Sequence, residues 1–320
     1  MTLLLRASEV EDLIDPLDAV EITAEVVREE AEGTTIHVPQ WGGAHTAHGR
    51  LVRMVGGGLF QLGRLGFRMG GGPSVCVLYD THSTEMLAIV GYPFSNLRVG
   101  ASMALAARHL SQPDARTIGL LGSGRNALSI LQCLKAVRPI ERVNVFSPTP
   151  DHRARFAIEA TADLGIPVTA CDAPELVMAE ADIIVAATSS DDPVVRLKDV
   201  RPGVHVTSMG HQHEIDASLY VGADQFVALS RHQEVEDAEP RAEYSRGPSP
   251  MQGLLADGTL KPESIVDLGE IVTGRVAPRN GPSDVTLYRE SRGGVHDAAL
   301  ANRAYERALQ LGRGLEFDFR

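Results

Sequence analysis

Ile118–Leu134, IGLLGSGRNALSILQCL, is the stretch whose reading decides the fold. It joins a short apolar run to Gly122 and Gly124 and then to a helical pattern, with Ala127 completing a G-x-G-x-x-A spacing. In a strand–turn–helix the first glycine permits the tight turn and the second lets backbone amides approach a pyrophosphate. The small third residue lets helix and strand pack closely. The helix N-terminus then turns its partial positive charge toward the phosphates. The stretch predicts a dinucleotide held by Gly122, Ser123, Gly124, Arg125, Asn126 and Ala127. A purely structural glycine turn is the bland alternative, and the surrounding βαβ pattern weighs against it.

From about Arg116 the chain alternates β-branched runs with amphipathic ones. RTIGLLGSG precedes RNALSILQCLKAV, and RVNVFSP precedes PDHRARFAIEATADLG; PVTACD, ADIIVAATSS, GVHVTSMG, DQFVALS and DVTLYRES follow. Continuous apolar strands between such helices mark a parallel sheet covered on both faces. Residues 116–295 therefore read as an α/β domain, a doubly wound parallel sheet of Rossmann type. Residues 1–115 read as an α+β unit on an antiparallel sheet. It opens with a helix over DPLDAVEITAEVVREEAEG, with Pro16 in the first turn and Gly33 past the end. Strands follow in TTIHVPQ, RLVRMVGG and RLGFRMGG, then a hairpin over SVCVLYD–THST–EMLAIVGY and a helix N-capped by Ser95. The closing helix HDAALANRAYERALQLGRG, within residues 296–320, is assigned to this first domain. EVEDAEPRAEYSRGPSP is polar and proline-rich and reads as an exposed loop.

A chain of 320 residues suits two domains, and its 43% hydrophobic and 22% charged residues are ordinary for a globular protein. A formal net charge of -12 argues against nucleic acid or an anionic membrane as partner, while a local arginine cluster can still take a small anion. Cys76, Cys133 and Cys171 lie far apart in apolar runs, so buried thiols are expected rather than a metal site or a disulfide framework. The opening MTLLLRASEV is too short for a secretory signal, and no apolar run approaches the roughly 18 residues of a membrane span. The expectation is a cytoplasmic protein.

The second strand of the α/β half ends in VNVFSPTPDHR. An NAD site usually carries an acidic residue there, about 20 residues past the glycines, for the ribose 2′-hydroxyl. Here Ser147 and Thr149 stand instead, with Arg153 close behind, so the reading favours NADP(H) over NAD(H). The expected cofactor edge extends to Thr188, Met209 and Gly293.

NLRVGASMALAARHLSQPDARTIGLLGSGRNA resembles the ornithine cyclodeaminase/mu-crystallin family, and the likeness continues through ADIIVAATSS, RPGVHVTSMG, VTLYRES and the closing helix. The resemblance implies a homodimer built through the N-terminal sheet and a Rossmann domain carrying NAD(P). It also implies chemistry through imines of α-amino or α-keto acids. The family's pocket uses two arginines and a lysine around the substrate carboxylate, and an aspartate near the reacting amine. Carried over, one arginine is Arg98, and Arg68 stands where the lysine would be. The other arginine falls near Thr35 and is lost, with Arg53 a replacement from the neighbouring strand. In SMGHQHEID, His211 occupies the aspartate's place with no carboxylate beside it. His205 and His213 are its competitors, and Trp41 and His45 are further wall residues.

Those departures carry chemistry. Arginine can clamp a carboxylate bidentately but cannot give up a proton, as a buried lysine can. Arg68 and Arg98 are therefore read as the carboxylate clamp, and His211 as the proton donor. Arg98 in a domain-interface ion pair and Arg68 as a snorkelling surface residue are the plain alternatives. The substrate read from this set is a small carboxylate-bearing imine or amino acid, reduced by NAD(P)H. A cyclodeaminase-type lyase with bound NAD+ and a mu-crystallin-like ligand binder are the other classes.

Overall fold

The computed structural model describes residues 1–38, 44–45, 51–71, 73–210, 212–238, 249–291 and 293–319. Trp41 and His211 lie outside the described residues, and of His45 the backbone alone is described. The chain divides into two units, Met1–Arg98 with Arg292–Arg320, and Val99–Ser291.

The first unit is a mixed sheet with helices on it. Its strands run Leu315–Phe317, Thr2–Leu5, Met86–Gly91, Ser74–Asp80, Arg64–Gly70, Leu51–Leu59 and Thr35–His37, with Ala44–His45 pairing off Leu51–Leu59. All neighbours are antiparallel except Thr2–Leu5 with Met86–Gly91. The helix Gly294–Gln310 lies against this sheet so closely that a Cβ on Gly57 would stand 2.5 Å from the Val295 nitrogen. Glycine is therefore required in that strand by close approach rather than by its backbone angles. The helix Pro16–Glu32 starts as its sequence predicts, with the Asp15 carboxylate accepting from Asp18 N at 2.8 Å. Arg307 ties the two helices together by donating to both Asp18 oxygens, at 2.6 and 2.8 Å.

Two local expectations need correction. Ser95 is the first residue of the helix Ser95–Leu110 rather than its N-cap, and its hydroxyl accepts from Arg68 at 3.2 Å. Beyond the closing helix, Leu315–Phe317 adds an edge strand against Thr2–Leu5, which three residues were too few to announce.

The second unit is the parallel sheet expected from the strand pattern. Its order is Val168–Ala170, Arg142–Phe146, Thr117–Leu121, Ile183–Ala186, His205–Ser208, Thr286–Arg289, Gln225–Ala228 and Val266–Asp267, every pairing parallel. Order reverses at Thr117–Leu121, the first strand of this sheet in the chain, which places a ligand crevice at its carboxyl end. Ile118, Leu120, Ile183, Ile184, Val206 and Leu287 are fully buried, as a sheet covered on both faces demands. Cys76 and Cys133 are buried, while Cys171 is only partly so. The exposed loop expected from Glu234 onward is overturned at its start. Arg231–Ala238 is a helix, and Glu234 is buried on Arg289, so its polarity marked an ion pair rather than solvent.

Each unit encloses an acid-sensitive histidine. His205 in the second unit is buried, and its Nδ1 lies 2.9 Å from the Thr286 hydroxyl. Burial, with Arg279 and Arg138 adding to it, pushes its pKa down to about 3. Burial and then Arg98 and His37 do the same to His296 in the first unit, also to about 3. A native state that refuses a proton which the unfolded chain accepts is stable above the unfolded pKa near 6.5. It loses stability as pH falls from there toward 3, by about 1.4 kcal/mol per pH unit for each histidine. Urea unfolding at pH 7.5 and 5.5 checks this: His205→Gln should remove about 1.4 kcal/mol of the acid loss. An undiminished loss in that variant contradicts it.

Candidate functional site

The glycine loop sits where the sequence placed it. Gly122 has φ +100, and a Cβ there would meet the Ala187 carbonyl oxygen at 2.3 Å, so the first glycine is forced by both backbone and space. A Cβ on Gly124 would meet nothing within 4 Å. The second glycine is not needed for packing, and open space lies above it, as a cradle for a pyrophosphate requires. Ala127 is buried as the first residue of the helix Ala127–Val137. Asn126 reaches the Met209 sulfur at 3.5 Å, and Arg125 is exposed. The residues present fit a dinucleotide.

At the end of the next strand, Arg142–Phe146, hydroxyls and an imidazole meet the loop. Ser147 accepts from Ser123 Oγ at 2.9 Å, and His152 Nδ1 lies 2.9 Å from that same Ser123 oxygen. Thr149 is exposed and makes no capping bond to its helix. Arg153 is buried, donating to the Ser147 carbonyl at 3.1 Å and to Asp172, with its guanidinium over the Phe146 ring.

The carboxyl edge further along the sheet holds a buried network that no sequence motif announces. Glu214 accepts four hydrogen bonds, from Thr188 N at 3.0 Å, Thr188 Oγ1 at 2.9 Å, Gly210 N at 2.7 Å and Ser208 Oγ at 2.5 Å. Burial pushes its carboxyl up, while Arg289 and these donors pull it back. Arg289, itself buried, donates to the Gly210 carbonyl at 3.1 Å and to Glu234 at 3.0 Å. One carboxylate thus fastens two neighbouring loops, one through Thr188 and one through the Gly210 peptide that precedes residue 211. Glu214, within SMGHQHEID, supplies a buried carboxylate at this edge, and its place in an ordinary E-I-D triplet gives no signal; the call of no carboxylate beside His211 lies outside the described residues. His213, in the short turn Gln212–Glu214, is partly exposed. His205 sits at the opposite, amino end of its strand and is no competitor for a role at this edge.

In the first unit, Arg68 and Arg98 converge on one carboxylate. Arg68 Nε donates to Asp297 Oδ2 at 2.7 Å, and Arg98 Nε stands 3.6 Å from Oδ1. The Tyr92 hydroxyl donates to Oδ1 at 2.7 Å, and Arg68 lies over the Tyr92 ring. Burial and then the Asp297 charge push the Tyr92 phenol well up, so it stays a donor. Arg68 is thus no snorkelling surface residue, and Arg98 pairs within its own unit. Two guanidinium groups brought to one place are chemistry that recognises a carboxylate. Asp297 escapes a sequence reading because an acidic residue in a first helical turn is unremarkable. Gly293 is the N-cap of that helix. Arg53 is exposed, and Thr35 is half-buried on its short strand.

A doubly wound sheet with an open glycine loop defines a dinucleotide-binding α/β protein. The chain belongs to the ornithine cyclodeaminase/mu-crystallin family, whose model matches residues 72–312. It is 28% identical over 295 residues to an uncharacterized cyclodeaminase of Sinorhizobium fredii, covering 91% of this chain and 84% of that one. It is 28% identical over 251 residues to the Delta(1)-pyrroline-2-carboxylate reductase of Bacillus thuringiensis subsp. konkukian, covering 77% and 74%. Among solved structures, the iminosuccinate reductase of Paracoccus denitrificans in complex with NAD+ matches with TM-score 0.87 and 25% identity, over 99% of each chain.

Proposed function

We propose that this chain is an NAD(P)H-dependent oxidoreductase that reduces the C=N bond of an imine derived from an α-keto or α-amino acid. The observation that carries the reading is the intact glycine cradle in one unit, together with a paired-arginine anion clamp in the other. The relatives named as imine reductases support it. Bound, the reduced nicotinamide supplies the hydride that the imine carbon accepts. Arg68 and Arg98 orient the substrate carboxylate and stay charged throughout, so neither passes a proton. Asp297 and Tyr92 fix the arginines from behind, and Glu214 fixes the Thr188 and Gly210 loops. His211 gives the imine nitrogen its proton, and His211→Ala should lower kcat by roughly 10²–10⁴-fold with cofactor affinity unchanged. Full turnover by that variant removes it from the role.

The test of the whole reading is a spectrophotometric one. The protein is mixed with NADPH or NADH and with cyclic and linear imino acids, and nicotinamide absorbance should fall with a carboxylate-bearing imine. Release of ammonia from ornithine with no net change in nicotinamide would instead mark a cyclodeaminase. The replacement of lysine by Arg68 weighs against that outcome.

The active form in this proposal is a cytoplasmic homodimer. No helix among the described residues is long and apolar enough to cross a membrane. On the sheet face away from the closing helix, Met54, Met69 and Val75 are exposed by 40%, 39% and 38%, and the strand register sets them side by side. A contiguous apolar row on a sheet face is a surface for a second copy. Sedimentation should give a dimer for the wild type and a monomer for Met54→Asp/Met69→Asp. An unchanged species in the double variant places the interface elsewhere.

A further inference from the structure

We infer that His152 reads the 2′-phosphate of NADPH and makes this chain select NADPH over NADH. The inference rests on the dinucleotide reading above and gives its cofactor preference a residue. The carboxyl end of the second strand lies where a doubly wound fold holds the adenosine ribose, and there an acidic side chain selects NAD by bonding the free 2′-hydroxyl. Ser147 stands in that place, bonded to Ser123 rather than flanked by an acid. The sequence points to Arg153 as the cation beside it. Arg153 is otherwise engaged: it is buried, held by the Ser147 carbonyl and Asp172, and stacked on Phe146.

His152, the preceding residue, is exposed and turned to the glycine loop, its Nδ1 2.9 Å from Ser123 Oγ. Ser123 in turn donates to Ser147 at 2.9 Å. The chain of three ends in a hydroxyl at Ser147 and an imidazole at His152. A 2′-phosphate would take a charge-assisted bond from each, whereas NADH offers a neutral hydroxyl and gains little.

Fluorescence titration of the wild type and His152→Ala with NADPH and with NADH tests this, the exposed site making misfolding no obstacle. His152→Ala should weaken NADPH about tenfold or more, with NADH within twofold of wild type. His152→Gln, which keeps a hydrogen-bonding side chain of similar reach, should fall between. Equal loss of both cofactors would make the ring a stacking partner for adenine and overturn the inference, as would unchanged NADPH affinity. Wild-type protein that binds NADH well and NADPH poorly overturns it while leaving the dinucleotide reading intact. Binding of neither cofactor removes both.

Discussion

Gly124→Val should abolish NADPH and NADH binding and leave the fold in place. A Cβ at this position would meet nothing within 4 Å, so the added side chain enters open space rather than the core. Surface changes of that kind usually move stability by no more than about 0.5 kcal/mol. The same space is where a pyrophosphate must approach the loop amides, so the isopropyl group excludes it sterically. Gly122 gives the contrast. Its φ is +100, and the Ala187 carbonyl oxygen lies 2.3 Å from where a methyl group would stand. Gly122→Ala should therefore unfold the loop and cost stability as well as binding. Isothermal titration beside thermal unfolding separates the two. Wild-type affinity in a folded Gly124→Val protein would mean that the loop holds no dinucleotide.

Asp297→Ala carries the second large effect. Asp297 is 2% exposed and receives Arg68 Nε, the Tyr92 hydroxyl and the charge of Arg98. Removing it takes away a counter-charge that the Arg68 and Arg98 guanidinium groups share. Breaking a buried pair in this way costs about 3–5 kcal/mol. The arginines would also lose the backing that aims them, so KM for a carboxylate substrate should rise more than kcat falls. Asp297→Asn keeps the shape and one acceptor but not the charge, and should fall between the two. An Asp297→Ala protein with unaltered urea midpoint and unaltered KM would show that the cluster neither holds the unit nor orients a ligand.

The glycine loop, the parallel sheet, the first helix and the hairpin are legible in the sequence because each is encoded locally. Apolar runs, caps and glycine spacing act within a dozen residues, where the backbone has few choices. The family resemblance adds Arg68 and Arg98 as a pair, although 30 residues separate them in the chain.

What lies out of reach is decided by contacts distant in sequence. Asp297 meets Arg68 across 229 positions, and no local pattern distinguishes it from an ordinary first-turn acid. Glu214 and Glu234 look like solvated surface charges until Arg289 is folded against them, and burial then turns polarity into a network. Arg153 and His152 are adjacent in the chain, and only the packing of their helix sends one beneath the strand and the other over the loop. The sequence by itself determined the two kinds of sheet and the position of the cradle, because hydrogen-bonded backbone and side-chain periodicity are short-range. The tertiary structure alone decided which charges face one another, because a charge finds its partner only after the chain has brought distant segments together.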